Sequence, residues 1–177
     1  MPHKPSKIEI SEEKWIEAKH IIKNGVQKKL SAAKKNIEID KEIAAGIYIY
    51  ALEEFGKLLL LKECKAVDGR YIIIYRDEFL DHGVKFTKAF DYLQDNESSE
   101  CIVLNDEGGY TPDSYSWESF TIGLLAETTA RLGIFYIDYT KSENDKYDIM
   151  KVPKMDENKL KIAINKLEEV INTFELH

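Results

Sequence analysis

The sequence predicts an all-α protein, a single domain built as a bundle of about five helices. Three observations carry this. Glycine and proline are scarce, 9 and 4 in 177 residues, so long helices run without interruption. Apolar residues recur at helical spacing in several separate segments. The links between those segments are mostly short and polar, as helix-to-helix connections in bundles are. A chain of 177 residues supports one substantial core, and no repeat, low-complexity tract or linker divides it, so the domain is expected to span residues 1–177 with 1–10 as an N-terminal tail.

The first helix is expected to begin after Ser11, a good N-cap, with Glu12 and Glu13 in the first turn where the helix dipole favours acids. Trp15, Ala18, Ile22, Val26, Leu30 and Ala33 form its apolar stripe, and lysines fill the opposite side. Asp40 is positioned to cap a second helix running to about Ala66, before Val-Asp-Gly breaks it. A third helix is expected from Tyr71 to Leu93, with the stripe Tyr75, Phe79, His82, Phe86, Ala89/Phe90 and Leu93. Residues 94–117 read as an irregular insertion, in which Cys101–Asn105 suits a short strand and Asp106–Pro112 is turn chemistry. A fourth helix is expected over about Trp117–Leu132, closing at Gly133. Ile134–Tyr139, aromatic and β-branched, fits an extended segment or a helix continuation equally well. Residues 140–155 read as polar loop ending at Pro153. A last helix capped by Asp156 follows, with Leu160, Ala163/Ile164, Leu167, Val170/Ile171 and Phe174 on one face.

Composition narrows the setting. The two cysteines, Cys64 and Cys101, lack CxxC spacing, so reduced thiols are expected. The N-terminus lacks the apolar stretch of a signal peptide. Ile43–Leu61 approaches the length of a membrane span, but Glu53, Glu54 and Lys57 near its middle exclude one, which points to a cytoplasmic protein. The net charge of −7 disfavours indiscriminate nucleic-acid binding. It is unevenly spread: residues 1–41 carry ten lysines against six acids, whereas residues 91–119 carry eight acids and no lysine or arginine. The basic first helix is either a solvated face or a local phosphate-tracking surface, and its attraction for the acidic loop could act between protomers.

Those three charges in the oily second helix are the strongest signal in the chain. Ionised groups there cost several kcal/mol (~3–5 for a broken buried pair) unless they are partnered, so partners must come from elsewhere in the fold. Glu53 and Lys57 stand at i,i+4 and Glu54 and Lys57 at i,i+3. The next run, Tyr75–Lys85, supplies Arg76, Asp81, His82 and Lys85. One reading is a buried ionic clasp in which Lys57 neutralises one glutamate and Arg76 or Lys85 meets the other. The other reading is a site. Arg76 and His82 are six residues apart, about 120° round a straight helix by its ~3.6-residue turn, so joint action requires a distorted turn, a long reach or a second protomer. No HExxH, CxxC pair, GxGxxG or P-loop is present, and no cofactor or metal is expected.

Four segments carry a family resemblance. Tyr50-Ala-Leu-Glu53-Glu54-Phe-Gly56-Lys57, Phe79-Leu-Asp81-His82-Gly-Val-Lys85, Leu132-Gly-Ile-Phe-Tyr136-Ile-Asp138-Tyr, and Pro153 before a final helix together resemble the AbiV family of bacterial abortive-infection proteins. That family is related to the HEPN helical domains of toxins and antiphage systems. The resemblance implies a HEPN-like helical bundle, usually a homodimer, serving antiviral defence. HEPN ribonucleases carry an arginine and a histidine separated by four to six residues, and Arg76-Asp-Glu-Phe-Leu-Asp-His82, with five between, fits that pattern. By analogy His82 handles the proton of an RNA 2′-hydroxyl or 5′-oxygen, and Arg76 stabilises the phosphorane-like transition state without a metal. Glu53, Glu54, Lys57, Asp81 and Lys85 would order that site. The alternative is a non-catalytic protein that binds a phage protein, a translation component or an antitoxin. Exposure separates the two, because a nuclease needs Arg76 and His82 open to water, and a clasp seals both.

Overall fold

The computed structural model describes residues 7–64, 66–67, 71–96, 139–141, 147–149 and 157–176. Helices dominate these residues, as expected of an all-α chain. In chain order the elements are β1 (Lys7–Ser11), α1 (Glu12–Asn36), α2 (Lys41–Glu63), β2 (Ala66–Val67), β3 (Tyr71–Tyr75), α3 (Arg76–Leu80), α4 (His82–Asp95), β4 (Tyr139–Lys141), β5 (Tyr147–Ile149) and α5 (Glu157–Thr173).

Local chemistry sets the ends of the long helices. The Ser11 hydroxyl accepts from the Lys14 amide at 3.4 Å, and the Asp40 carboxylate accepts from the Ile43 amide at 2.9 Å. Helix α2 stops at Glu63, three residues before the expected end, because Cys64 turns extended with its amide on the Leu61 carbonyl. The α2 helix is the centre of the molecule and packs against α1, α4 and α5. Tyr48, Phe55, Leu58 and Leu61 of α2 are fully buried with Val26 and Leu30 of α1, Leu93 of α4, and Leu160, Ile164, Leu167 and Ile171 of α5. The apolar stripes read for α1 and α5 therefore face this core, though Trp15, Ala18 and Ile22 are only half-buried. No helix among the described residues is long and apolar enough to cross a membrane.

Lysines of α1 and α2 hold the segment after α5. The Lys19, Lys23 and Lys62 ammoniums donate to the carbonyls of Leu176, Phe174 and Glu175 respectively. These carbonyls lie just past the C-terminus of α5, an end whose dipole also favours cations. Lys19 is buried against the Trp15 ring, 3.4 Å from its centroid, and the indole nitrogen in turn donates to Leu61 at 2.7 Å.

Several expectations are corrected. Lys7–Ile10 is strand and not tail: with Ser11 it pairs antiparallel with β3, Lys7 opposite Tyr75 and Ser11 opposite Tyr71. Tyr71–Tyr75 is a strand and not the start of a helix, because its β-branched run meets two partners, β1 and β2, in a sheet ordered β1-β3-β2. The expected third helix is thereby reduced to two pieces, α3 and α4, split at Asp81. Tyr75 leaves the stripe and is exposed, while Phe86, Ala89, Phe90 and Leu93 keep it. Residues 140–155 contain an antiparallel pair, β4 with β5, where loop was expected. Of the expected insertion only 94–96 are described, ending α4 at the Asn96 cap, and the expected fourth helix over 117–132 lies outside the described residues.

Candidate functional site

The site forms where α2 and α4 touch. Gly56 makes the contact possible: a Cβ built on it would lie 1.9 Å from the Lys85 carbonyl oxygen. With hydrogen in that place the two backbones meet, and Glu53, one turn before Gly56, faces the first turn of α4.

Asp81 gives that turn its position. It adopts extended backbone angles, φ −72° and ψ 119°, and its carboxylate accepts from the Val84 amide at 3.2 Å. This is an N-cap, so α4 starts afresh at His82 and need not continue the helical phase of α3. The objection that Arg76 and His82 lie a third of a turn apart applied to one straight helix, and the chain here is not one.

Three side chains converge at the contact. The Lys85 ammonium donates to Glu53 Oε1 at 2.7 Å and to the Leu80 carbonyl at 3.4 Å. The His82 Nδ1 lies 2.8 Å from the same Glu53 oxygen and 3.3 Å from the Lys85 nitrogen. The shorter contact, to a carboxylate, assigns the Nδ1 proton: Nδ1–H donates to Glu53, and in the neutral ring Nε2 carries the lone pair. Burial alone would raise the Glu53 carboxyl, but the Lys85 hydrogen bond and charge, with a further contribution from His82, outweigh it and hold the carboxyl below its ordinary value. Glu53 and Lys85 are sealed, whereas the His82 side chain is 41% exposed. The buried pair thus fixes the orientation of an imidazole that water reaches.

The other expected residues divide around this centre. Lys57 pairs with Glu54 at 2.7 Å, both half-buried on the neighbouring stripe of α2. Lys57 therefore takes one glutamate and Lys85 the other, one of the two partnerships the sequence left open. Asp81 is exposed as a helix cap. Arg76 is exposed at the start of α3, and Lys85 takes the place on Glu53 that Arg76 was a candidate to fill. Among the described residues no three His, Cys, Asp or Glu side chains are grouped as a metal site. The sequence reading missed the role of Gly56. Its signal was present, a glycine kept inside an otherwise large-residue apolar helix, which marks close backbone approach. The chain matches no family model, no curated protein and no solved structure.

Proposed function

We propose that this chain is a bacterial antiphage protein of the AbiV type, HEPN-like and cytoplasmic, that acts as a homodimer and cleaves RNA without a metal. In this reading His82 Nε2 takes the proton of a 2′-hydroxyl, whose oxygen attacks the adjacent phosphorus while the P–O5′ bond breaks. The products are a 2′,3′-cyclic phosphate and a 5′-hydroxyl, the proton returning to the departing 5′-oxygen. Arg76 offers a guanidinium to the charge on the phosphorane-like transition state.

The observation that carries the reading is the Glu53–His82 contact at 2.8 Å. A buried carboxylate sets the tautomer and orientation of a solvent-reached imidazole, which is the arrangement a general base requires. The exposure of both Arg76 and His82 favours it over a sealed clasp.

A second reading rests on a different observation, the buried Glu53–Lys85 pair against Gly56, which serves helix register with no chemistry. In that case the protein acts by binding a phage protein, a translation component or an antitoxin. Total RNA incubated with the purified protein in EDTA separates the two. Cleavage lost in both His82→Ala and Arg76→Ala, with unchanged melting, supports the nuclease. Intact RNA under every condition, or undiminished cleavage by His82→Ala, overturns it.

A further inference from the structure

The short sheet beside α3 brings a second cation to Arg76. Strand β1 pairs antiparallel with β3 and sets Lys7 directly opposite Tyr75, the residue before Arg76. Opposed residues of an antiparallel pair share one face of the sheet, and here the Lys7 ammonium lies 5.7 Å from the centre of the Tyr75 ring. Lys7, Tyr75 and Arg76 are all exposed. Among the described residues neither Lys7 nor Arg76 has an acidic partner, in contrast to Lys34, Lys57, Lys85 and Lys88, each of which sits on a glutamate. Glu9 follows along the same strand face as Lys7, ~7 Å on, and forms no ion pair with it.

Printed side-chain contacts at the far end of α3 tie this pair of cations to the histidine. From Arg76 helix α3 runs only to Leu80, ~6 Å of rise. The Leu80 carbonyl accepts from the Lys85 ammonium at 3.4 Å, and that ammonium is 3.3 Å from His82 Nδ1. An RNA strand carries a negative charge at every linkage, so a strand whose reacting phosphodiester lies at His82 brings further phosphates over the surface around it. A lysine with no acid to give up is suited to meet one of them. We infer that Lys7 contacts a phosphodiester flanking the one that is cleaved, so that the substrate is an RNA strand extending from His82 past Arg76 to the β1–β3 ladder. The inference rests on the ribonuclease reading given above.

The test uses the full chain and a fluorescein-labelled single-stranded oligoribonucleotide. In the His82→Ala background, which separates binding from cleavage, anisotropy gives affinity as a function of salt. Lys7→Ala is expected to reduce the slope of log affinity against log salt by about 0.7, the share of one phosphate on a single strand, and Lys7→Arg to retain it. In the active protein Lys7→Ala should raise KM for the oligonucleotide about two- to fivefold at low salt, the size an exposed ion contact carries, with kcat little changed. That defect should vanish for a dinucleoside monophosphate, whose single phosphodiester is the one cleaved. A purely structural role for Lys7 would not depend on substrate length. An unchanged salt slope in Lys7→Ala, or an equal defect on both substrates, overturns the Lys7 contact and leaves the nuclease standing. If the wild-type protein neither binds nor cleaves RNA, both fall together.

Discussion

The Lys85 carbonyl oxygen occupies the space where any side chain on Gly56 would sit, 1.9 Å from the position of a Cβ. Everything in the candidate site depends on that approach, because it brings the Glu53 carboxylate within 2.7 Å of the Lys85 ammonium and 2.8 Å of the His82 ring.

Gly56→Ala is therefore expected to destabilise, against the ordinary trend. In a solvent-exposed helix the change gains up to ~1 kcal/mol from propensity. Here the methyl meets backbone, which cannot rotate aside, and overpacking of this kind costs about 1–3 kcal/mol or more. A melting temperature lowered by several degrees is expected, at ~2–4 °C per kcal/mol for a chain of this size. A melting temperature at or above wild type would show that α2 and α4 are not held this close.

Removing one partner of the buried pair should be worse than removing both. Glu53→Gln leaves the Lys85 ammonium sealed without its anion, a loss of about 3–5 kcal/mol. Glu53→Met with Lys85→Met replaces the pair by apolar volume and should recover much of that loss. Urea unfolding of the two single Met variants and the double variant gives the coupling directly. Strict additivity would mean that the two charges do not act on each other.

Acid should loosen the fold through Glu53. Its folded carboxyl lies below the ordinary value of about 4.5, so the unfolded chain takes up that proton first as the pH falls. The contribution is fully present above the ordinary value and is lost as the pH drops through the depressed one. Unfolding free energies of wild type and the double Met variant between pH 7 and 3 should converge at the acid end. Parallel profiles would remove Glu53 as the cause.

Asp81 offers a test of position against chemistry. Asp81→Ala loses the cap on the Val84 amide and is expected to cost about 1 kcal/mol, whereas Asp81→Asn keeps an acceptor and should be nearly neutral. Chemical denaturation distinguishes them. Equal losses for Asn and Ala would assign Asp81 a role through its charge.

Features governed by neighbours in sequence are legible in the sequence itself. Ser11 and Asp40 are caps because a side-chain oxygen three residues before an orphan amide satisfies it whatever the rest of the fold does. The stripes of α1 and α5 follow from spacing alone, and charges inside an oily α2 had to find partners because burial leaves them no choice. Tyr71–Tyr75 is a strand for the opposite reason: its three isoleucines carry no helix-breaking signal, and the strand that claims them lies more than sixty residues earlier.

Sequence by itself thus established a mostly helical chain and an ionic need among Glu53, Glu54 and Lys57 of α2; that Glu53 is the buried one was decided by the packing. Which cation met that need was a matter of distance in space: Lys85 reaches Glu53 because Gly56 lets two backbones touch, while Lys57 turns to Glu54 and Arg76 stands in solvent. Such choices rest on pairings between residues far apart along the chain, and local propensities hold no information about them.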